Sequence, residues 1–195
     1  MTTLRERNRA RTRLEIESAA LHLFEHQGYD STTVDQITAA AGVSNATFFR
    51  YYGSKEELLF TDEAATVAVL IEYVAARSDR SLTVAALGEP IARYARDALD
   101  DPAATTQRMT RLVMTTKTLE ARSMRMRLRW EHALARQLAH EQGRSGTPSA
   151  DDVLVANVSI ACLATALWDW QRPECEATMS EMVLAAFARC ADLQA

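Results

Sequence analysis

The sequence predicts an all-α protein of about nine helices, a small N-terminal head followed by a larger helical body. Three observations carry this. Apolar residues recur at helical spacing along most of the chain, capping-box pairs mark helix starts, and two short helices meet at a glycine-containing turn near residue 42. The predicted boundary separates residues 1–53, an arm plus head, from residues 54–195, the body.

Each element has its own signal. In the first helix, residues 8–27, Ile16, Ala20, Leu23 and Phe24 fall on one face, and Gly28 follows as a stop that tolerates positive φ. Thr33 with Gln36 three residues on forms a capping box, leading Val34, Ile37 and Ala41 to a second stop at Gly42. Residues 45–51 supply a short third helix. Ser54 with Glu57 repeats the capping-box spacing and opens a fourth helix, residues 55–76, carrying Leu58, Leu59, Val67, Leu70, Ile71 and Val74. Gly88 and Pro90 predict a kink or break within residues 82–99, and Asp100-Asp101-Pro102 opens a sixth helix. A seventh spans residues 119–141, with its arginines facing water. Thr147 is the expected N-cap of the next helix, with Pro148 at its first position. That helix, residues 153–168, is apolar on nearly every side, and the last carries a stripe of Met179, Met182, Val183, Ala186, Phe187 and Cys190.

Composition narrows the function classes. With 195 residues and 48% hydrophobic content, the chain can bury a real core. The stretch 153–168 is shorter than a bilayer span and contains Asn157, Ser159 and Thr165, so no membrane anchor is expected. Residues 5–13 run into an amphipathic pattern, not an apolar secretory core, which predicts a cytoplasmic protein. Cys162, Cys175 and Cys190 lack C-x-x-C spacing and suit small buried hydrophobes. Net charge is -4, yet Arg5, Arg7, Arg9, Arg11 and Arg13 face only Glu6 in the first thirteen residues. A basic arm therefore heads an acidic protein, a pattern that suits polyanions.

Residues 45–52 have two faces. Phe48 and Tyr52 are four apart and point inward, while Asn45, Ala46, Thr47, Phe49, Arg50 and Tyr51 form a mixed polar, planar and cationic outer side suited to base edges and phosphates. Five neighbouring bulky groups do not all fit inward at 3.6 residues per turn. Small residues at Ser44 and Ala46 allow close approach to a major groove.

On these residues, and on the text ALHLFEHQGYDSTTVDQITAAAGVSNATFFRYYGSKEELL, the segment 9–60 resembles the DNA-binding domain of the tetracycline-repressor (TetR) family of bacterial transcription regulators. The resemblance implies DNA contacts at Thr33, Ser44, Asn45, Ala46, Thr47, Phe49, Arg50, Tyr51 and Lys55. Asn45 is expected to read an adenine, and Arg50, Tyr51 and Lys55 to hold phosphates. Gly53 departs from the family, where proline is frequent.

A competing motif, His22-Leu-Phe-Glu25-His26, fits the H-x-x-E-H pattern of a zinc peptidase helix. Leu23 and Phe24 belong to the apolar stripe and turn both histidines to solvent, and no third ligand is legible nearby. No enzyme activity, metal or cofactor is expected.

The resemblance also implies an effector cavity in the body. Met109, Met114 and Met126, with Tyr73, Tyr94, Trp130 and Trp168, are the candidate lining, and an apolar or aromatic small molecule the expected ligand. The last two helices predict a four-helix homodimer interface. Together these point to a ligand-responsive regulator, expected to be a repressor, on a palindromic double-stranded DNA operator; the alternative is a ligand-independent DNA-binding regulator in which the same methionines and aromatics are ordinary core filler.

Overall fold

The computed structural model describes residues 4–60, 63–101, 104–145 and 147–193, apart from the side chain of Arg5. All regular structure among them is helical: α1 (Leu4–Gln27), α2 (Val34–Ala40), α3 (Asn45–Tyr51), α4 (Glu63–Ala75), α5 (Ala85–Ala98), α6 (Thr105–Thr115), α7 (Glu120–Glu141), α8 (Ala150–Trp170) and α9 (Met179–Asp192), with 3₁₀ turns at Glu56–Leu58 and Lys117–Leu119. The chain divides into two compact units, residues 1–61 with 115–119, and residues 62–114 with 120–195.

In the first unit α1 supplies the floor. Ile16, Ala20, Leu21 and Phe24 are buried, and Ile37 of α2 and Phe48 of α3 are fully enclosed. Leu21, absent from the expected stripe, is buried where Leu23 is only half-buried. The turn between α2 and α3 follows from one residue. Gly42 adopts φ +65°, so Val43 N–H reaches back to the Thr38 carbonyl at 3.0 Å and Gly42 N–H to that of Ala39 at 3.3 Å, satisfying two terminal carbonyls of α2. The capping box expected at Thr33 is present, with Gln36 closing it.

Two expectations differ here. First, α1 begins at Leu4 and not at residue 8, so the described part of the basic arm is helix. Second, no helix runs continuously from residue 55. Glu57 accepts from Gly53 N–H at 2.7 Å, Leu58 and Phe60 turn into the core, and α4 starts only at Glu63. Burial of those two side chains against the head outweighs helix propagation, and residues 54–60 therefore belong with the first unit, past the boundary expected at 53.

The second unit is built on α5, α7, α8 and α9, with Leu87, Ile91, Leu134, Ala156 and Val183 fully buried. Helix α5 passes through Gly88 and Pro90 without the expected break. A Cβ on Gly88 would meet the Phe187 ring at 3.2 Å, so glycine at this position permits the close approach of α9. Asp101 caps α6, accepting from Thr105 N–H at 2.9 Å and Thr106 N–H at 3.0 Å. The N-cap of α8 is Ser149, not Thr147, because buried Asp152 three residues on closes a box with it and also receives Arg144 at 2.5 Å. At 21 residues α8 is long and apolar enough to cross a membrane, although the sequence suggested a shorter stretch, and 44% of its most apolar window is buried in the unit.

A buried ion pair closes the α4 end of this unit. Arg77 Nη2 lies 2.6 Å from Glu141 Oε2, and Arg80 adds a second contact at 3.0 Å. The arginines of α7, expected to face water, are partly engaged: Arg122 and Arg129 both pair with Glu63, and Arg127 with Glu131.

Candidate nucleic-acid interface and the core of the body

The interface candidate is α3 with its flanks. Ser44 caps the helix, accepting from Thr47 N–H at 3.1 Å, and Phe48 fixes its inner face. Tyr52 is also buried, and its hydroxyl donates to Glu17 Oε1 of α1 at 2.7 Å. Burial, with the Glu17 carboxylate next to it, raises the Tyr52 pKa above the ordinary phenol value, so the hydroxyl stays a donor. The inward pair expected from the sequence is thus in place.

Outward, Ser44, Ala46, Phe49 and Arg50 are exposed, with Thr47 and Tyr51 half-exposed and Thr33 exposed at the start of α2. Phe49 leaves 55% of its surface open, which no folding requirement of the head explains. The Tyr51 ring carries Arg50 at 5.4 Å and Arg9 of α1 at 5.8 Å.

Asn45 and Lys55 sit differently from expectation. The Asn45 amide is exposed, but its Nδ2 donates to Asp35 Oδ1 and its Oδ1 accepts from Thr38 Oγ1, both at 2.6 Å. It joins α3 to α2 through both ends of one amide. The Lys55 ammonium donates to the carbonyls of Tyr29 at 2.7 Å and Thr32 at 2.8 Å, above the Tyr29 ring at 4.3 Å. Both side chains spend their hydrogen bonds inside the head. Asp35, Thr38, Glu17 and Tyr29, the partners that hold this surface, were not singled out from sequence. Glu17 alone carries a local signal that could have found it, the (i, i+4) spacing to Arg13.

The rings of His22 and His26 stand 4.2 Å apart on the exposed side of α1. Among the described residues, no group of three His, Cys, Asp or Glu side chains could hold a metal ion.

In the body, the candidate lining divides. Tyr73, Tyr94 and Trp130 form a chain of edge-on rings, 6.2 and 5.8 Å between centroids, and Met126 packs against the same core. Met109 and Met114 lie half-buried on α6, outside that cluster. Trp168 is 52% exposed, on the outer side of α8 with Leu154 and Val153, and so faces away from the ring chain. The Tyr94 hydroxyl and the Trp130 indole N–H are buried, and neither has a hydrogen-bond partner. Burial raises the Tyr94 pKa, keeping its proton in place. Tyr73, by contrast, donates to Asp97 at 2.6 Å.

A three-helix head that presents α3 over a glycine turn, followed by a helical body, defines a helix-turn-helix regulator fold. Residues 16–61 match the family model described as bacterial regulatory proteins, tetR family. TcmR of Streptomyces glaucescens, an HTH-type transcriptional regulator, is 35% identical over 146 residues, 72% of this chain and 64% of TcmR. The chain thus matches a little under two thirds of that relative's length. MftR of Mycobacterium tuberculosis, a transcriptional regulator linked by name to mycofactocin biosynthesis, is 28% identical over 181 residues, 93% of this chain and 90% of MftR. A TetR-family regulator from Syntrophomonas wolfei shares the fold with a TM-score of 0.65 at 17% identity, over 95% of each chain. The head, residues 16–61, is thus a domain of the tetR family of bacterial regulatory proteins.

Proposed function

We propose that the protein is a cytoplasmic, homodimeric repressor of transcription that grips a palindromic operator with two copies of α3 and leaves it when a small apolar or aromatic effector binds the body. The observation that carries this is the outer face of α3, where Phe49 and Arg50 stay exposed while Phe48 and Tyr52 are locked inside. The family of its head domain and the regulators it resembles support the reading. Thr33, Ser44, Ala46, Thr47, Phe49, Arg50 and Tyr51 are the proposed contacts to bases and phosphates. Asn45 and Lys55 hold the head in register for that contact.

The apolar outer surface of α8, with Leu154 and Trp168 open to solvent, and Leu184 exposed on α9, supports dimerisation through these helices. For the effector, Tyr94 and Trp130 offer two buried donors among apolar neighbours, which suits a neutral ligand carrying an oxygen acceptor. Such a ligand lowers operator affinity only through unequal affinity for two states of the dimer. Selection of bound duplexes from a random DNA pool is the test. Enrichment of an inverted repeat is expected; recovery of unenriched sequence would overturn the proposal.

A further inference from the structure

We propose that Arg9, on the helical extension of α1, forms with Tyr51 and Arg50 a phosphate-binding station that carries the DNA footprint past the helix-turn-helix. This rests on the DNA-binding reading above. Arg9, Arg13 and Glu17 are spaced four apart and share one face of α1, the face turned to the end of α3. At Arg13 and Glu17 that face is internally neutralised. Arg13 Nε donates to Glu17 Oε1 at 2.8 Å, its guanidinium lies 6.0 Å from the Tyr52 ring centroid, and Glu17 accepts from Tyr52. These bonds fix the register of α1 against α3.

One turn earlier the pattern changes. Arg9 stacks on Tyr51 at 5.8 Å, opposite no carboxylate among the described residues, and Arg50 meets the same ring at 5.4 Å, also unpaired. Arg11, by contrast, reaches Glu15 at 3.6 Å. Two cations drawn to one half-exposed ring repel each other weakly in water, and an anion at that ring relieves the repulsion while accepting hydrogen bonds from both forks. A planar guanidinium fork matches a phosphate in geometry. The DNA backbone beside the groove that α3 enters is the anion of that chemistry within reach. Because Arg9 sits on a helix braced by the Arg13, Glu17 and Tyr52 contacts, it arrives positioned, without the ordering cost of a loose arm.

The test measures binding of the full-length protein to the selected operator duplex and to a shuffled duplex of the same length, each across a salt series. Arg9→Ala is expected to weaken both duplexes by the same factor and to reduce the slope of log affinity against log salt by about 1. Arg9→Lys is expected to retain the slope, and the thermal midpoint of Arg9→Ala should match wild type because the side chain is exposed. An unchanged slope in Arg9→Ala, or a loss confined to the operator, overturns the station while leaving DNA binding intact. Absence of salt-dependent binding by the wild type overturns both.

Discussion

The two units handle buried polar groups in opposite ways. In the head every buried side-chain donor and acceptor among the described residues has a partner: Tyr52 on Glu17, Thr38 on Asn45 and the Asp35 carbonyl, Thr32 on the Gly28 carbonyl. In the body several do not. Arg77 Nη2 and Glu141 Oε2 satisfy each other as an ion pair at 2.6 Å, but the Tyr94 hydroxyl, the Trp130 N–H, Arg77 Nε and one Asp100 oxygen stay unpaired. A surface that must present the same face to every binding site benefits from a closed network that admits one arrangement. Buried donors left without partners carry a cost in stability, which the effector proposed above would offset on binding.

This contrast can be broken at four points. The largest effect is expected from Phe48→Ala, which removes a fully buried ring at the centre of the head and should cost about 3–5 kcal/mol, visible as an early unfolding transition in calorimetry. A body transition that moves equally would show that the units do not differ as described. Next is Asp152→Asn. The Asp152 carboxylate is enclosed, which alone would raise its pKa, yet the Ser149 hydroxyl and N–H and the Arg144 guanidinium together hold it below the ordinary carboxylate value. A depressed carboxylate stabilises the fold above its unfolded pKa and loses that contribution as pH falls through the folded value. The variant should lose roughly 1–3 kcal/mol at neutral pH, and the difference from wild type should shrink as the solution is acidified below the usual carboxylate range. A difference constant with pH would remove the charge from the account.

Third, Asn45→Ala strips two satisfied hydrogen bonds between α2 and α3 and should lower head stability by about 1 kcal/mol, measured by urea denaturation. The smallest effect carries the opposite sign. Tyr94→Phe deletes a hydroxyl with no partner, and the ligand-free protein should be unchanged or more stable by up to about 1 kcal/mol. Destabilisation there would mean that the hydroxyl is already satisfied and the head and body are alike.

Helix existence was legible throughout, because the 3.6-residue repeat reports which face meets the core whatever that core turns out to be. The same holds for Phe48 and Tyr52: four-residue spacing beside a glycine stop leaves few other arrangements. Several helix starts and the helix-breaking expectation fared less well. Helix α5 continues past Pro90 where a kink or break was expected, with Phe187, 99 positions after Gly88, packed on that glycine, and residues 55–60 leave the helical pattern because the head claims Leu58 and Phe60. Trp168 was a candidate for the cavity that the resemblance implies, and its place on the open side of α8 depends on which face of that nearly all-apolar helix the body covers.

From sequence alone come the helical class, the head with its inward aromatic pair and the basic N-terminal segment, since each rests on spacing or charge within one turn or two. Only tertiary structure decided that Asn45 and Lys55 are hydrogen-bonded to other parts of the head, that Arg9 lies on Tyr51, and that Tyr94 and Trp130 go without partners. Those are properties of side chains far apart in the chain, and a hydrogen bond or a ring contact is made or missed over a few tenths of an ångström, a distance that no repeat in the sequence encodes.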